Sequence, residues 1–232
     1  ERKAAAKNPL TAREGPSQFT VIALIVVVAF AAVVGVGVYW KNSGGGIAVP
    51  ANASAQGVTV GNEAAPKTID IYLDFQCPIC KQFEAQAGQT LDQIVSSGQA
   101  KIVYHPIAIL DRASSTRYST RAGAAAGCAA AAGVFPQFEK ELYDNQPAEG
   151  GAGLPNEQLV ALGQKVGAGG DFAQCVDDQR YAPWVGQITQ QALRDGVSGT
   201  PAVKVDGTQV DATAQALDFF LECVRLEGLL KS

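Results

Sequence analysis

Histidine occurs once, at position 105, and methionine not at all. A single imidazole excludes sites assembled from several, the His-rich zinc enzymes and two-His iron centres among them. Lacking any methionine, initiator included, the sequence is expected to begin downstream of its natural start. Charge is thin as well. Only 17% of the 232 residues are Asp, Glu, Lys or Arg, and their net of −4 gives a field that repels a polyanion, which argues against nucleic acid as a partner. Aromatic residues make up 7%, yet hydrophobic residues reach 47%, too many for a disordered chain.

The hydrophobicity is concentrated first in residues 19–40, FTVIALIVVVAFAAVVGVGVYW, a run of 22 without a charge. As a helix at about 1.5 Å per residue it spans a hydrocarbon core of roughly 30 Å, so a transmembrane helix over 19–41 is expected. Tyr39, Trp40 and Lys41 supply rings and a cation at headgroup depth. Residues 1–18 carry a net charge of +2 and everything beyond the helix −6. The positive-inside rule then places 1–18 in the cytoplasm and exports the rest, making a single-pass protein of the cell membrane with an extracytoplasmic domain. A cleaved signal peptide is the competing reading, but its apolar region is shorter and is followed closely by small residues. Here the Ala-x-Ala candidates at 51–53 and 53–55 lie more than ten residues past the span.

Residues 42–57, NSGGGIAVPANASAQG, have no charge and no apolar period, the composition of a flexible linker. From 58 to 232 the chain is long enough for one domain with one core. KTIDIYLDF at 67–75 alternates apolar and polar residues and reads as a strand. Pro78 suits a first helical turn, and apolar residues at helical spacing run on to Gly98. AKIVYH at 100–105 is a second strand, and about 114–195 is Ala- and Gln-rich material for four or five helices. Residues 203–210 form a hairpin around Asp206-Gly207, and 212–230 an amphipathic closing helix.

The chemistry gathers at Cys77-Pro78-Ile79-Cys80. Two thiols three apart at the opening of a helix can close a disulfide, and the unpaired N–H groups and helix dipole there stabilise a thiolate on the first sulfur. Cys77 is the expected nucleophile and Cys80 the resolving thiol, exchanging with another protein through a mixed disulfide. A C-x-x-C is also half of a zinc site, but Cys128, Cys175 and Cys223 form no second pair, so no metal is expected.

Three stretches resemble the DsbA-like branch of the thioredoxin superfamily, and most of all the membrane-anchored members from actinobacteria: GNEAAP at 61–66, DFQCPICKQF at 74–83 and GVSGTPA at 196–202. The resemblance implies an α/β thioredoxin fold with a helical insertion at about 114–195, a cis Pro201 packed on the redox pair, and Thr200 offering backbone hydrogen bonds to a substrate strand. Pro78, Ile79, Thr200 and Pro201 are thereby active-site supporting residues, and no cofactor is called for. Implied partners are exported proteins with reduced cysteines and a membrane quinone reductase of the DsbB or vitamin K epoxide reductase type. Enterobacterial members carry His where this chain has Ile79, so that source of positive charge is missing here. The resemblance and the export expectation together imply a structural Cys128–Cys175 disulfide.

The remaining candidates have plainer readings. Cys223 is expected as a small buried hydrophobe, His105 as structural, and Gly123 and Gly127 as a close helix contact. Asp74 and Glu84 are read as solvent-facing carboxylates, able to shift the thiols only if they turn inward. Three functions stay open: an oxidase donating the Cys77–Cys80 disulfide, an isomerase or reductase running the same exchange, and a membrane-tethered binding module with a secondary redox role.

Overall fold

Alternation over 67–73 places Ile69 and Ile71 fully inside, and the strand they belong to becomes the centre of a five-stranded sheet. The computed structural model describes residues 46–211 and Val27. The apolar span at 19–40, nearly all of it, and the closing helix at 212–230 with Cys223 lie outside the described residues. Among the described residues no helix is long and apolar enough to cross a membrane.

The chain enters the sheet through β1 (Val58–Val60), then runs through β2 (Lys67–Leu73), α1 (Pro78–Ser96) and β3 (Ala100–Pro106). β2 and β3 pair in parallel, Ile69 against Ile102 and Leu73 against Pro106, so α1 is the crossover that a parallel pair requires. β4 (Ala202–Val205) lies antiparallel to β2, and β5 (Thr208–Val210) closes the order β1-β3-β2-β4-β5. The β4–β5 turn has φ of 47° at Asp206 and 81° at Gly207, the left-handed pair that Asp-Gly favours. Asp206 also ties that turn to β2, its carboxylate accepting from Thr68 N at 3.0 Å and facing Lys67 at 3.0 Å.

Between β3 and β4 stands the helical insertion. A short 3-10 turn at Asp111–Ala113 leads into α2 (Tyr118–Ala131), α3 (Phe135–Asp144), α4 (Asn156–Lys165), α5 (Phe172–Asp177) and α6 (Ala182–Arg194). Beyond its first turn α2 is all Ala, Gly and Cys and almost wholly buried, because small side chains let its neighbours approach closely. A Cβ at Gly123 would meet Val185 Cγ2 at 3.0 Å, and one at Gly127 would meet Tyr181 Cβ at 3.0 Å. The large fully buried side chains Phe135, Phe138, Leu142 and Trp184 fill the space around it.

Two boundaries differ from the sequence reading. The first strand ends at Leu73 rather than at 75, since Asp74 and Phe75 turn into the approach to α1. Residues 50–57, read as part of a flexible linker, are tied to the domain at a few points, although most of their side chains are exposed. Pro50 and Gly57 are buried, Asn52 Nδ2 donates to Ala130 O at 3.2 Å, and Trp184 Nε1 donates to Ser54 O at 2.9 Å. Composition hides this strap because its partners lie 78 and 130 residues away.

Candidate active site

Pro78 opens α1 with Cys77 as its N-cap, at φ −77° and ψ 118°. No side chain caps this helix and its first turn carries no acid, so its leading N–H groups are left for the Cys77 sulfur. Cys77 and Cys80 are both reduced and buried. The Cys77 sulfur lies 3.3 Å from Thr200 O, and the Thr200–Pro201 peptide is cis. The loop before β4 and the start of α1 thus meet at one sulfur.

The two thiols are driven apart. Donation from the Cys80 thiol, helped by Thr200 and by the N–H groups of Cys80 and Ile79, holds Cys77 at about 5 against the opposing effect of burial. Burial and that same donation push Cys80 far above the ordinary thiol range. Cys77 is therefore a thiolate at neutral pH and Cys80 a thiol, with no imidazole needed at position 79. Ile79 is instead 55% exposed at the mouth of a groove of about 600 Å³. Ile109, Leu110, Leu193 and Thr200 also line that groove, and Leu193 is 54% exposed.

Asp74 corrects the sequence reading, for it is fully buried rather than solvent-facing. Its Oδ1 accepts from Gln76 N at 2.9 Å and its Oδ2 from Leu110 N at 3.0 Å, joining the loop after β2 to the loop after β3. Burial raises its carboxyl to about 6 despite those two donors. An acid set between apolar Leu73 and Phe75 was the available sign of burial. Glu84 is half-buried, and burial together with the nearby Asp92 raises it.

The approach to Cys77 is braced by residues the sequence did not single out. Gln76 Nε2 donates to Leu110 O at 2.8 Å. Gln146, just past α3, donates from Nε2 to Phe75 O at 3.0 Å and to Cys77 O at 2.9 Å, and Tyr143 packs on Phe75 with ring centroids 5.4 Å apart. No local pattern marks Gln146, which lies 69 residues from Cys77.

The other candidates fall elsewhere. Cys128 in α2 and Cys175 in α5 are disulfide-bonded, with Cα atoms 6.0 Å apart. His105 is buried, its Nδ1 at 2.7 Å from Gln56 O, its Nε2 at 2.8 Å from Asp70 Oδ1, and its ring stacked on Tyr72 at 4.3 Å. Among the described residues no three of His, Cys, Asp and Glu converge as a metal-binding set.

A family model described as Thioredoxin matches residues 53–222. Among solved structures, the reduced disulfide bond oxidoreductase DsbG of Mycobacterium tuberculosis is 33% identical, with a TM-score of 0.57 over 68% of this chain and 78% of that one. Oxidised DsbA from the same organism is 32% identical, with a TM-score of 0.61 over 74% of this chain and 90% of that one. MdbA of Actinomyces oris, a thiol-disulfide oxidoreductase, shares the fold at 24% identity and a TM-score of 0.63, over 76% of this chain and 91% of that one. The serine/threonine-protein kinase PknE of M. tuberculosis is 36% identical over 127 residues, 52% of this chain. The match spans only 22% of that kinase's length.

Proposed function

The chain belongs to the thioredoxin family, and from that premise we propose that it oxidises the thiols of exported proteins, handing them the Cys77–Cys80 disulfide from the outer side of a membrane in which residues 19–41 anchor it. It is a DsbA-like protein thiol-disulfide oxidoreductase. In the proposed cycle a substrate thiolate attacks the Cys77 sulfur of the disulfide, forms a mixed disulfide, and releases Cys80, which takes up a proton. A second substrate thiolate attacks the substrate sulfur of that bond. Cys77 leaves as a thiolate, the substrate gains a disulfide, and two electrons stay in the Cys77–Cys80 dithiol. Re-oxidation falls to a membrane quinone reductase of the DsbB or vitamin K epoxide reductase type.

The observation that carries this reading is the opposed pair of thiols, Cys77 held at about 5 and Cys80 raised far above it. A low leaving-group pKa speeds release of Cys77 from the mixed disulfide, and a stabilised thiolate favours the reduced form, which makes the disulfide an oxidant. The groove supports it too, with exposed Ile79 and Leu193 beside the sulfur to receive the apolar residues of an unfolded chain. The deciding experiment is the equilibrium reduction potential of the Cys77–Cys80 pair of the full chain in glutathione buffers. A value near or above about −180 mV is expected, and a value near about −270 mV replaces the oxidase with a reductase. A Cys77→Ala, Cys80→Ala variant that rescues every phenotype of a deletion would instead favour a binding module.

A further inference from the structure

The N–H groups at the start of α1 stabilise a thiolate on Cys77 only while the Cys77 peptide keeps its capping geometry. The helix holds the Cys77 carbonyl weakly, Lys81 N donating to it at a long 3.3 Å, while the Cys77 N–H is fixed on the other side by Asp74 O at 2.9 Å. The closer hold comes from outside the sheet half of the fold, where Gln146 Nε2 reaches Cys77 O at 2.9 Å and Phe75 O at 3.0 Å. A primary amide has two hydrogens, so both bonds form at once, and two carbonyl acceptors fix which way round the amide lies. Gln146 is itself half-buried and anchored, its N–H donating to Tyr143 O at 3.2 Å at the end of α3. Tyr143 is buried against Phe75, and its hydroxyl reaches Asp74 O at 3.5 Å. Three residues of the approach, 74, 75 and 77, therefore present their carbonyls to one short stretch of the insertion.

We propose that Gln146 is a positioning residue for thiol exchange, through which the helical insertion sets how well α1 stabilises the Cys77 thiolate. This rests on the reading of Cys77 as the exchanging thiol. Gln146 has no hydrogen bond to the sulfur; it acts through the carbonyl on the same residue. Without its two bonds the Cys77 peptide turns more freely against the N–H groups of Ile79 and Cys80, which weakens the thiolate and leaves the neutral thiol nearly untouched.

The test compares the full chain with Gln146→Ala and Gln146→Glu. The glutamate keeps the shape of the side chain but, when ionised, has no hydrogen to donate. Two readouts are taken, thiolate absorbance at 240 nm against pH and equilibrium with glutathione, together with the unfolding midpoint. Both variants are expected to raise the Cys77 midpoint and to shift the glutathione equilibrium about threefold or more toward the disulfide, the size of one lost hydrogen bond. In Gln146→Glu the deficit shrinks as the pH falls and the carboxyl regains a proton to donate. Variants that lose stability while the midpoint and the equilibrium stay put make Gln146 a structural brace only and overturn the proposal. A wild-type pair that does not exchange with glutathione overturns the oxidoreductase reading, and this proposal with it.

Discussion

Asp74 and Cys77 lie three residues apart, and the fold moves their acidities in opposite directions, the carboxyl up to about 6 and the thiol down to about 5. Each anion disfavours the other. A carboxyl whose native pKa lies above its unfolded value stabilises the fold while protonated. That contribution is complete below about pH 4 and is lost as the pH rises through 6, a loss of about 3 kcal/mol at most for Asp74. Cys77 runs the other way: its contribution to the reduced protein is present above the unfolded thiol pKa and lost as the pH falls through about 5. In the oxidised protein, where Cys77 does not titrate, Asp74→Asn should flatten the decline in stability between pH 4 and 7, measured by urea unfolding at both ends. The variant is less stable at low pH, because one amide oxygen cannot accept from both Gln76 N and Leu110 N, so the slope rather than the level is diagnostic. In the reduced protein the same change should lower the 240 nm midpoint of Cys77, and an unmoved midpoint would show that the Asp74 charge does not reach the sulfur. Cys77 and Cys80 could be read from the chain because their chemistry rests on covalent spacing and a helix start. The burial of Asp74 is not legible there, because it depends on a loop 36 residues away.

Elements built by local pattern were legible, and those built by distant partners were not. Alternation over β2 and β3, the Pro78 start of α1 and the Asp206-Gly207 turn all carry their instructions within a few residues. β1 has only three residues to show a period, and it exists because Val58 and Val60 pair with Tyr104 and Ile102. α2 makes the point in another way, for after Arg121 its sequence, AGAAAGCAAA, shows no polar side because it is buried almost all round. Its glycines measure how close the neighbouring helix comes. At Gly123 a single methyl would sit 3.0 and 3.2 Å from the two Val185 methyls, tight but relieved by a small shift, while Gly→Ala in a helix interior gains up to about 1 kcal/mol. Gly123→Ala is therefore expected to be near neutral. Gly123→Val drives two more carbons into the same contact and should cost about 1 to 3 kcal/mol, read from the denaturant midpoint. Equal losses from both variants would mean that α2 and α6 cannot part even by tenths of an ångström.

The domain joins a sheet half that carries the two thiols to an insertion that braces them, and the insertion carries its own covalent closure. The Cys128–Cys175 bond closes a loop of 47 residues, and α3, Tyr143 and Gln146 all lie inside it. The resemblance and the expected export point to this pairing, since spacing does not choose among partners for an isolated cysteine. What no reading of the sequence revealed is that the closed loop contains the side chain that holds the Cys77 carbonyl. Loop closure of this length limits the unfolded chain by about 4 kcal/mol, so Cys128→Ala, Cys175→Ala should lose stability of that order in denaturant unfolding. The thiols should respond differently. Phe138, Leu142 and Tyr143 are each almost entirely buried, so α3 is held by packing whether or not the bond is present, and Gln146 stays with it. The folded double variant should therefore keep the 240 nm midpoint of Cys77 and its glutathione equilibrium while its unfolding midpoint falls. If the midpoint of Cys77 rises along with the loss of stability, the bond does more than close a loop. It then holds the brace in register, and reduction of the structural disulfide becomes a way of weakening the oxidant at Cys77.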